Sequence, residues 1–285
     1  MKKEIYGFLG PRGTFSEEAA MLYCNEEDEL VPLPSFNEIF ESLKTGEITK
    51  GVIPVENSLE GSVNLCMDLL YTSSFVEVVG EIVLPVKQYL MAPRGMKIRD
   101  IEELYSISQV IGQSSNYINE YLPDAEIYYT ASSAQAAEFV KEEEGRALIG
   151  SRRLSELYDL EILAEEIQDG SNNYTRFFVI ANQLDVENGF PELDKEYKTS
   201  IICAPIVNKA GVLYSILGDF KREEINLTRI ESRPSKRQLG EYIFYIDMEG
   251  HQKNRHVRIA LEGVKQKSSF FRILGSYVRG DLLFK

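Results

Sequence analysis

The chain has 285 residues, of which 44% are hydrophobic and 27% charged, the composition of a soluble globular protein able to bury a core in one large domain or two smaller ones. Its formal net charge of -14 argues against nucleic acid or an anionic membrane as the main partner, while a local basic cleft for an anionic small molecule stays open. Three distant cysteines (Cys24, Cys66 and Cys203) fit neither a disulfide framework nor a C-x-x-C pair, and no apolar run suits a signal or a membrane span, so a cytoplasmic location is expected.

Residues 5–9 are predicted to form a strand, followed by Gly10, Pro11, Arg12, Gly13, Thr14, Phe15, Ser16 and Glu17 at the opening of a helix over 16–23. Either the backbone N–H groups and Ser16 hold an anion there, or the segment is a tight turn capped by Ser16, the more ordinary outcome. It is not a P-loop, because the Gly-Lys-Ser/Thr ending is missing. Ser35 and Glu38 ahead of Ile39, Phe40 and Leu43 match a capping box and predict a helix over 35–43. A strand over 51–55 leads directly into Glu56, Asn57 and Ser58, then Leu59, Glu60, Gly61 and Ser62, then an amphipathic stretch to Leu70. A carboxyl, an amide and a hydroxyl at a strand's carboxyl end make either a polar pocket or a hydrogen-bonded turn.

Residues 75–86 read as one or two strands. Thr130, Ser132 and Ser133 then precede a helix over 134–141 and supply three hydroxyls where a cap needs one. A strand over 147–149, a helix over 151–158 and a strand over 176–181 follow. Just before and within that last strand, the stretch from Asp169 to Phe178 offers Asn172, Asn173, Thr175 and Arg176 in a part of the chain with no histidine, since His251 and His256 both lie in the last forty residues. Proton transfer in the first part must therefore use carboxylates, hydroxyls, Tyr or Lys, which sets aside imidazole triads and most zinc sites. If the stretch is extended, Thr175 and Phe177 face one side and Arg176 braces from behind; otherwise the asparagines are turn residues and Arg176 a surface cation.

Strands alternating with helices predict an α/β architecture with a mainly parallel sheet and ligands beyond the carboxyl ends of its strands. Residues 183–198 are acidic, contain Gly and Pro, and read as a linker. After it come a strand over 200–204, a helical face of Val212, Leu213, Ile216, Leu217 and Phe220, strands over 227–232 and 242–248, a helix over 256–264 and a strand over 273–277. That order is βαββαβ, the ferredoxin-like motif.

Taken in order, Gly10–Ser16, Glu56-Asn57-Ser58 with Gly61-Ser62, Thr130–Ser133, Asn173 with Thr175-Arg176-Phe177, and Asn226-Leu227 with Glu231-Ser232-Arg233-Pro234 resemble the prephenate dehydratase family with its C-terminal ACT regulatory domain. The resemblance covers nearly the whole chain. It implies a two-lobed, periplasmic-binding-protein-like catalytic domain over 1–183, a linker over 184–198 and a ferredoxin-like ACT domain over 199–285. It also implies a carbon–oxygen lyase that converts prephenate to phenylpyruvate on the route to phenylalanine, inhibited by L-phenylalanine at ACT–ACT interfaces of a homodimer or homotetramer.

By that resemblance Thr175 is the candidate proton donor, Glu56 a second candidate, and Arg176 completes the catalytic set by holding the frame. Thr14, Phe15, Ser16, Asn57, Ser58, Gly61, Ser62, Thr130, Ser132, Ser133, Asn173 and Phe177 would bind substrate. Asn208, Ala210, Gly211, Val212 and Leu213, with Asn226, Leu227, Glu231, Ser232, Arg233 and Pro234, would bind the effector. No metal or organic cofactor is implied, and neither a nucleic acid nor a membrane is a partner. An N-terminal chorismate mutase, carried by some members, is not expected, because the first motif begins at Gly10.

The chain departs from the pattern in four places. It has Ser106, Ile107, Ser108 and Gln109 where members often have Ser-His-Pro-Gln. Residues 86–89 lack a common histidine, residues 208–213 lack the usual His and Pro, and Val278 replaces a Pro. Two rivals share the fold: a prephenate decarboxylase that keeps the ring hydroxyl, and a non-catalytic ligand-binding sensor. Thr175 favours dehydration over the first, and no DNA-binding module supports the second.

Overall fold

The computed structural model of the chain describes residues 3–186, 191–192, 194–236 and 241–280. The first sheet uses β1 (Ile5–Leu9), β2 (Glu29–Leu33), β3 (Lys50–Asn57), β4 (Gly61–Ser62) and β5 (Val76–Pro85), interleaved with α1 (Phe15–Tyr23), α2 (Phe36–Thr45) and α3 (Asn64–Thr72). The chain then builds β6 (Tyr89–Ala92), β7 (Glu103–Ser106), α4 (Ser108–Gln113), α5 (Ser115–Tyr121), β8 (Glu126–Tyr129), α6 (Ser133–Val140), β9 (Arg146–Gly150), α7 (Arg153–Tyr158) and β10 (Glu161–Ala164), and β11 (Tyr174–Asn182) returns to the first sheet.

The first sheet runs β2-β1-β3-β11-β5 with β4 on β3, and the second β10-β6-β9-β7-β8. β1 is parallel to β2 and β3, and β7 to β8 and β9, whereas β6 is antiparallel to β9 and β10. The mainly parallel sheet expected from the alternation is mixed in both lobes, and the two lobes implied by the resemblance are each built on one sheet. Two segments join the lobes and bond to each other: Val86 N donates to Asn173 O at 2.8 Å and Ile167 N to Gln88 O at 3.0 Å.

Local chemistry explains the elements. Phe8, Val52, Ile53 and Val55 are fully buried, as strands covered on both faces require. Ser35 Oγ accepts from Glu38 N at the start of α2, Gly46 ends that helix in the left-handed region, and Ile39, Phe40 and Leu43 face inward, each burial contributing about 1.5–3 kcal/mol. The second lobe packs Leu90, Leu104, Val110, Ile118 and Ile149 on one side of its sheet and Met91, Ala137, Leu148 and Leu154 on the other.

After the expected linker, of which residues 187–190 and 193 lie outside the described residues, come β12 (Tyr197–Pro205), α8 (Val212–Arg222), β13 (Leu227–Pro234), β14 (Tyr242–Glu249), α9 (Arg255–Gln266) and β15 (Ser268–Val278). Their antiparallel order, β13-β14-β12-β15, is that of the ferredoxin-like fold. Val257, Ala260, Leu261 and Val264 repeat at helical spacing on α9 and pack with Ile216 and Phe220 of α8 over Ile201, Cys203, Phe244 and Ile246.

By contacts the chain divides into two compact units. One takes Ile82–Phe177 with the chain up to Cys66; the other takes Met67–Glu81 with the described residues from Phe178 onward. In this second unit the face of the four-stranded sheet away from α8 and α9 is covered by its own residues. Tyr245 Oη donates to Met67 O at 2.7 Å, the Phe178 and Tyr277 rings meet edge to face, and a Cβ at Gly275 would sit 2.0 Å from Val78 O, so only glycine fits there. Among the described residues no helix is long and apolar enough to cross a membrane.

Candidate active site

The polar cluster starts at the end of β3. Asn57 Oδ1 accepts from Leu59 N at 2.9 Å and Glu60 N at 3.0 Å, an Asx turn that fixes which way the amide points. Its Nδ2 must then face the other way, where it donates to Asn173 Oδ1 at 2.9 Å and to Thr175 Oγ1 at 3.0 Å. Asn173 is 4% exposed and passes the pattern on, its Nδ2 donating to Gln113 Oε1 at 3.3 Å. Because Thr175 Oγ1 accepts from Asn57, its own proton is available to an acceptor other than Asn57.

Ser58 secures the backbone around this cluster. Its N donates to Tyr174 O, its Oγ donates to Asn172 O at 2.7 Å and accepts from Tyr174 N at 2.9 Å. Asp169 ties the same turn to the second lobe by accepting from Ser115 Oγ at 2.8 Å and Asn116 N at 3.0 Å. Gln109 Nε2 reaches Glu60 Oε1 at 3.1 Å. Gln113 and Ser115 were not named from the sequence, and Gln109 and Asp169 were named only as the ends of longer stretches and given no role, although two glutamines four apart on a helix share a face and could have been.

Strand alternation separates the remaining candidates. Glu56 and Arg176 stand one residue from Asn57 and Thr175 on their strands, so they take the other face, where Arg176 Nη1 lies 3.8 Å from Glu56 Oε2. Arg176 is 11% and Glu56 40% exposed at the side chain. Phe177 lies on the same face of β11 as Thr175 but is only 1% exposed, a packed residue under the site. Gly61 and Ser62 pair with Asn57 and Glu56 as β4.

At the first motif the structure differs from the expectation. Thr14, not Ser16, caps α1, accepting from Glu17 N at 3.4 Å. Glu17 is fully buried and fills the place imagined for an anion: its carboxylate accepts from Gly13 N at 2.6 Å and Arg12 Nη1 at 2.8 Å. Ser16 is buried in the first turn, while Phe15 lines a groove of about 700 Å³ with Glu18, Lys87, Tyr89, Arg152 and Arg153. Burial raises the Glu18 carboxyl above its ordinary value. Ser151 Oγ donates to Gly13 O at 2.9 Å and ties the second lobe to this loop. In the third motif Ser132 caps α6 by accepting from Gln135 N, Thr130 Oγ1 donates to Ser132 O, and Ser133 packs beside Gly150.

Residues 6–184 match the family model described as prephenate dehydratase. The chain belongs to the prephenate dehydratase family. It is 36% identical over 272 residues to a prephenate dehydratase of Methanocaldococcus jannaschii, covering 94% of this chain and 95% of the relative. It is 35% identical over 281 residues to a bifunctional chorismate mutase/prephenate dehydratase of Aquifex aeolicus, covering 99% of this chain and 75% of that one. A crystal structure of an Arthrobacter aurescens prephenate dehydratase in complex with L-Phe superposes with a TM-score of 0.86 at 32% identity, over 97% of this chain and 90% of that chain.

In this family member the residues expected at the effector site are dispersed over the loop before α8, the start of α8 and the C-terminal sheet. Asn208 and Val212 line a cavity of about 300 Å³ with Tyr71, Ser235, Tyr242 and Phe270. Gly211 starts α8 in the left-handed region after Ala210, and Leu213 and Leu227 pack into the core. Asn226 O accepts from Glu249 N, Ser232 pairs with Phe244 and Pro234 with Tyr242. Glu231 and Arg233 are engaged with each other, and Arg233 Nη2 also donates to Asp68 Oδ1 at 3.0 Å.

Proposed function

We propose that this protein is a prephenate dehydratase, a carbon–oxygen lyase that turns prephenate into phenylpyruvate, CO2 and water. The observation that carries the reading is the Asn57 amide, fixed by two backbone N–H groups and donating to Thr175. A threonine hydroxyl is a weak acid, so it acts by hydrogen-bonding the departing ring oxygen. As the bond between ring and carboxylate breaks, its electron pair becomes a ring double bond, the carbon–oxygen bond breaks, and the departing hydroxide takes one proton through Thr175 to leave as water. Solvent restores the threonine proton, and aromatisation supplies the driving force.

Asn173, whose amide keeps a second N–H beyond the one given to Gln113, and Ser133 with the N–H groups at the start of α6 suit the carboxylates of prephenate, while Asn57, Thr14, Ser58, Thr130 and Ser132, bonded within the protein, and the buried Ser16 shape the loops around them. Phe177 supports the wall behind Thr175, and Glu56 with Arg176 holds the strand ends in register. No cofactor enters this scheme. The catalytic part is assigned to 1–183, the linker to 184–198 and the ACT part to 199–285, in a cytoplasmic homodimer or homotetramer. Inhibition by L-phenylalanine is part of the reading, supported by the complex of the Arthrobacter relative and by the cavity at Asn208 and Val212.

Steady-state kinetics of Thr175→Ala tests the chemical role. The account predicts a kcat lowered by at least about 10²-fold with KM changed little, as for loss of a proton donor. A kcat near that of the unsubstituted protein would reject Thr175.

A further inference from the structure

The second and third turns of α3 are held from the C-terminal sheet. Tyr245 Oη donates to Met67 O at 2.7 Å and Arg272 Nη2 to Leu70 O at 2.5 Å. Asp68 accepts from Arg233 Nη2 at 3.0 Å and from Lys236 Nζ at 2.5 Å. Behind this pair stands a chain of charges, with Glu231 between Arg233 and Arg229, and both arginines are nearly buried. Burial pushes the Asp68 carboxyl up, but the hydrogen bonds from Lys236 and Arg233 together outweigh it and hold it below the ordinary range. Lys236 is exposed and Asp68 partly so, but the two nearly buried arginines fix the inner side of the network, which suits it to hold a position.

Three residues after Asp68, Tyr71 has left the ion pairs for a cavity. Its ring meets Phe270 edge to face at 5.1 Å, and it shares the cavity wall with Asn208, Val212, Tyr242 and Phe244. Apolar walls with Asn208, Ser235 and Glu241 among the lining residues suit a hydrophobic amino acid, its side chain inside and its charged ends against the polar groups. In the other direction α3 begins at Asn64, directly after β4, whose Gly61 and Ser62 pair with Asn57 and Glu56. One short helix thus has a cavity-lining residue near one end and the segment carrying Asn57 near the other.

We propose that α3 transmits occupancy of the C-terminal cavity by a hydrophobic amino acid to the Asn57 end of β3, with Tyr71 as the residue that touches the ligand and Asp68 as the anchor that makes the helix respond. The inference deepens the regulatory reading above and rests on it. Ligand binding acts by favouring one setting of the helix over another, so response and binding are separable by mutation. Glu231 and Arg233 are then positioning residues acting through Asp68.

Hydrogen exchange of the backbone amides of residues 57–66, measured on the full chain with and without L-phenylalanine and without prephenate, tests this apart from any turnover. Phenylalanine is expected to change exchange there in the unsubstituted protein. Asp68→Asn is expected to bind phenylalanine within about threefold by calorimetry while losing most of that change, and Asp68→Glu to regain it. Tyr71→Leu, which keeps an apolar wall, is expected to weaken binding about tenfold, as loss of an aromatic ring in contact with the ligand should. An Asp68→Asn protein that binds and responds as the unsubstituted one overturns the proposal, as does equal affinity in Tyr71→Leu or absence of phenylalanine binding to the unsubstituted chain. Failure to convert prephenate, with this response intact, counts against the catalytic reading alone.

Discussion

Asn57 does at the residue scale what a histidine does in many sites: it takes orientation from the backbone and hands it to the reacting group. Both its functions are spent, Oδ1 on Leu59 N and Glu60 N, Nδ2 on Asn173 and Thr175. Truncation in Asn57→Ala removes the donor that holds Thr175 and leaves Asn173 Oδ1 short of a partner, at a cost of about 1–3 kcal/mol for a buried polar group. The account predicts a kcat lower by about 10²-fold and a lower melting temperature, the size of effect seen when one preorganised donor is removed. Activity within threefold of the unsubstituted protein would mean that Thr175 needs no such holder. The residue types were legible in the sequence, and so was the opposition of Thr175 and Arg176, because strand alternation is a local rule. What joins them was not legible: the bond from Asn57 to Asn173 spans 116 positions, and no local pattern encodes which amides will meet. The filling of the Gly13 loop by Glu17 was missed for a related reason, since a buried carboxylate in a helix start reads as an ordinary acidic first turn.

At the scale of elements, the long periodic helices and the βαββαβ order were legible, whereas β6, β7, β8 and β10 were not. Each is four residues long, too short for alternation to stand out. β3 runs two residues past its expected end because β4 folds back on Glu56 and Asn57 and keeps them in the ladder. α3 gives the element-scale prediction. In the folded chain Asp68 titrates below its ordinary 3.8, with burial opposing and the bonds from Lys236 and Arg233 producing the shift. Its ion pairs therefore contribute stability above that ordinary value, and the contribution is lost as pH falls through the lower folded value. Urea midpoints of the unsubstituted protein and Asp68→Asn should differ at neutral pH and converge in acid well below about pH 4. A difference that persists unchanged in acid would show that Asp68 acts without its charge.

For the molecule as a whole, the alternation of strands and helices and the acidic stretch after residue 183 sufficed for an α/β first part and a ferredoxin-like second part. The division by contacts follows a different line, because Met67–Glu81 is counted with the described residues from Phe178 onward. That assignment depends on partners such as Tyr245 with Met67, far apart in sequence, and no composition shift announces it. Three functions remain distinct on this one fold, and they differ in what leaves the substrate. A dehydratase expels both CO2 and water, a decarboxylase keeps the ring hydroxyl, and a sensor changes nothing. The most direct measurement is to incubate the intact protein with prephenate and identify the product by NMR. The account predicts aromatic phenylpyruvate; a non-aromatic decarboxylated keto acid, or unchanged prephenate, would contradict it.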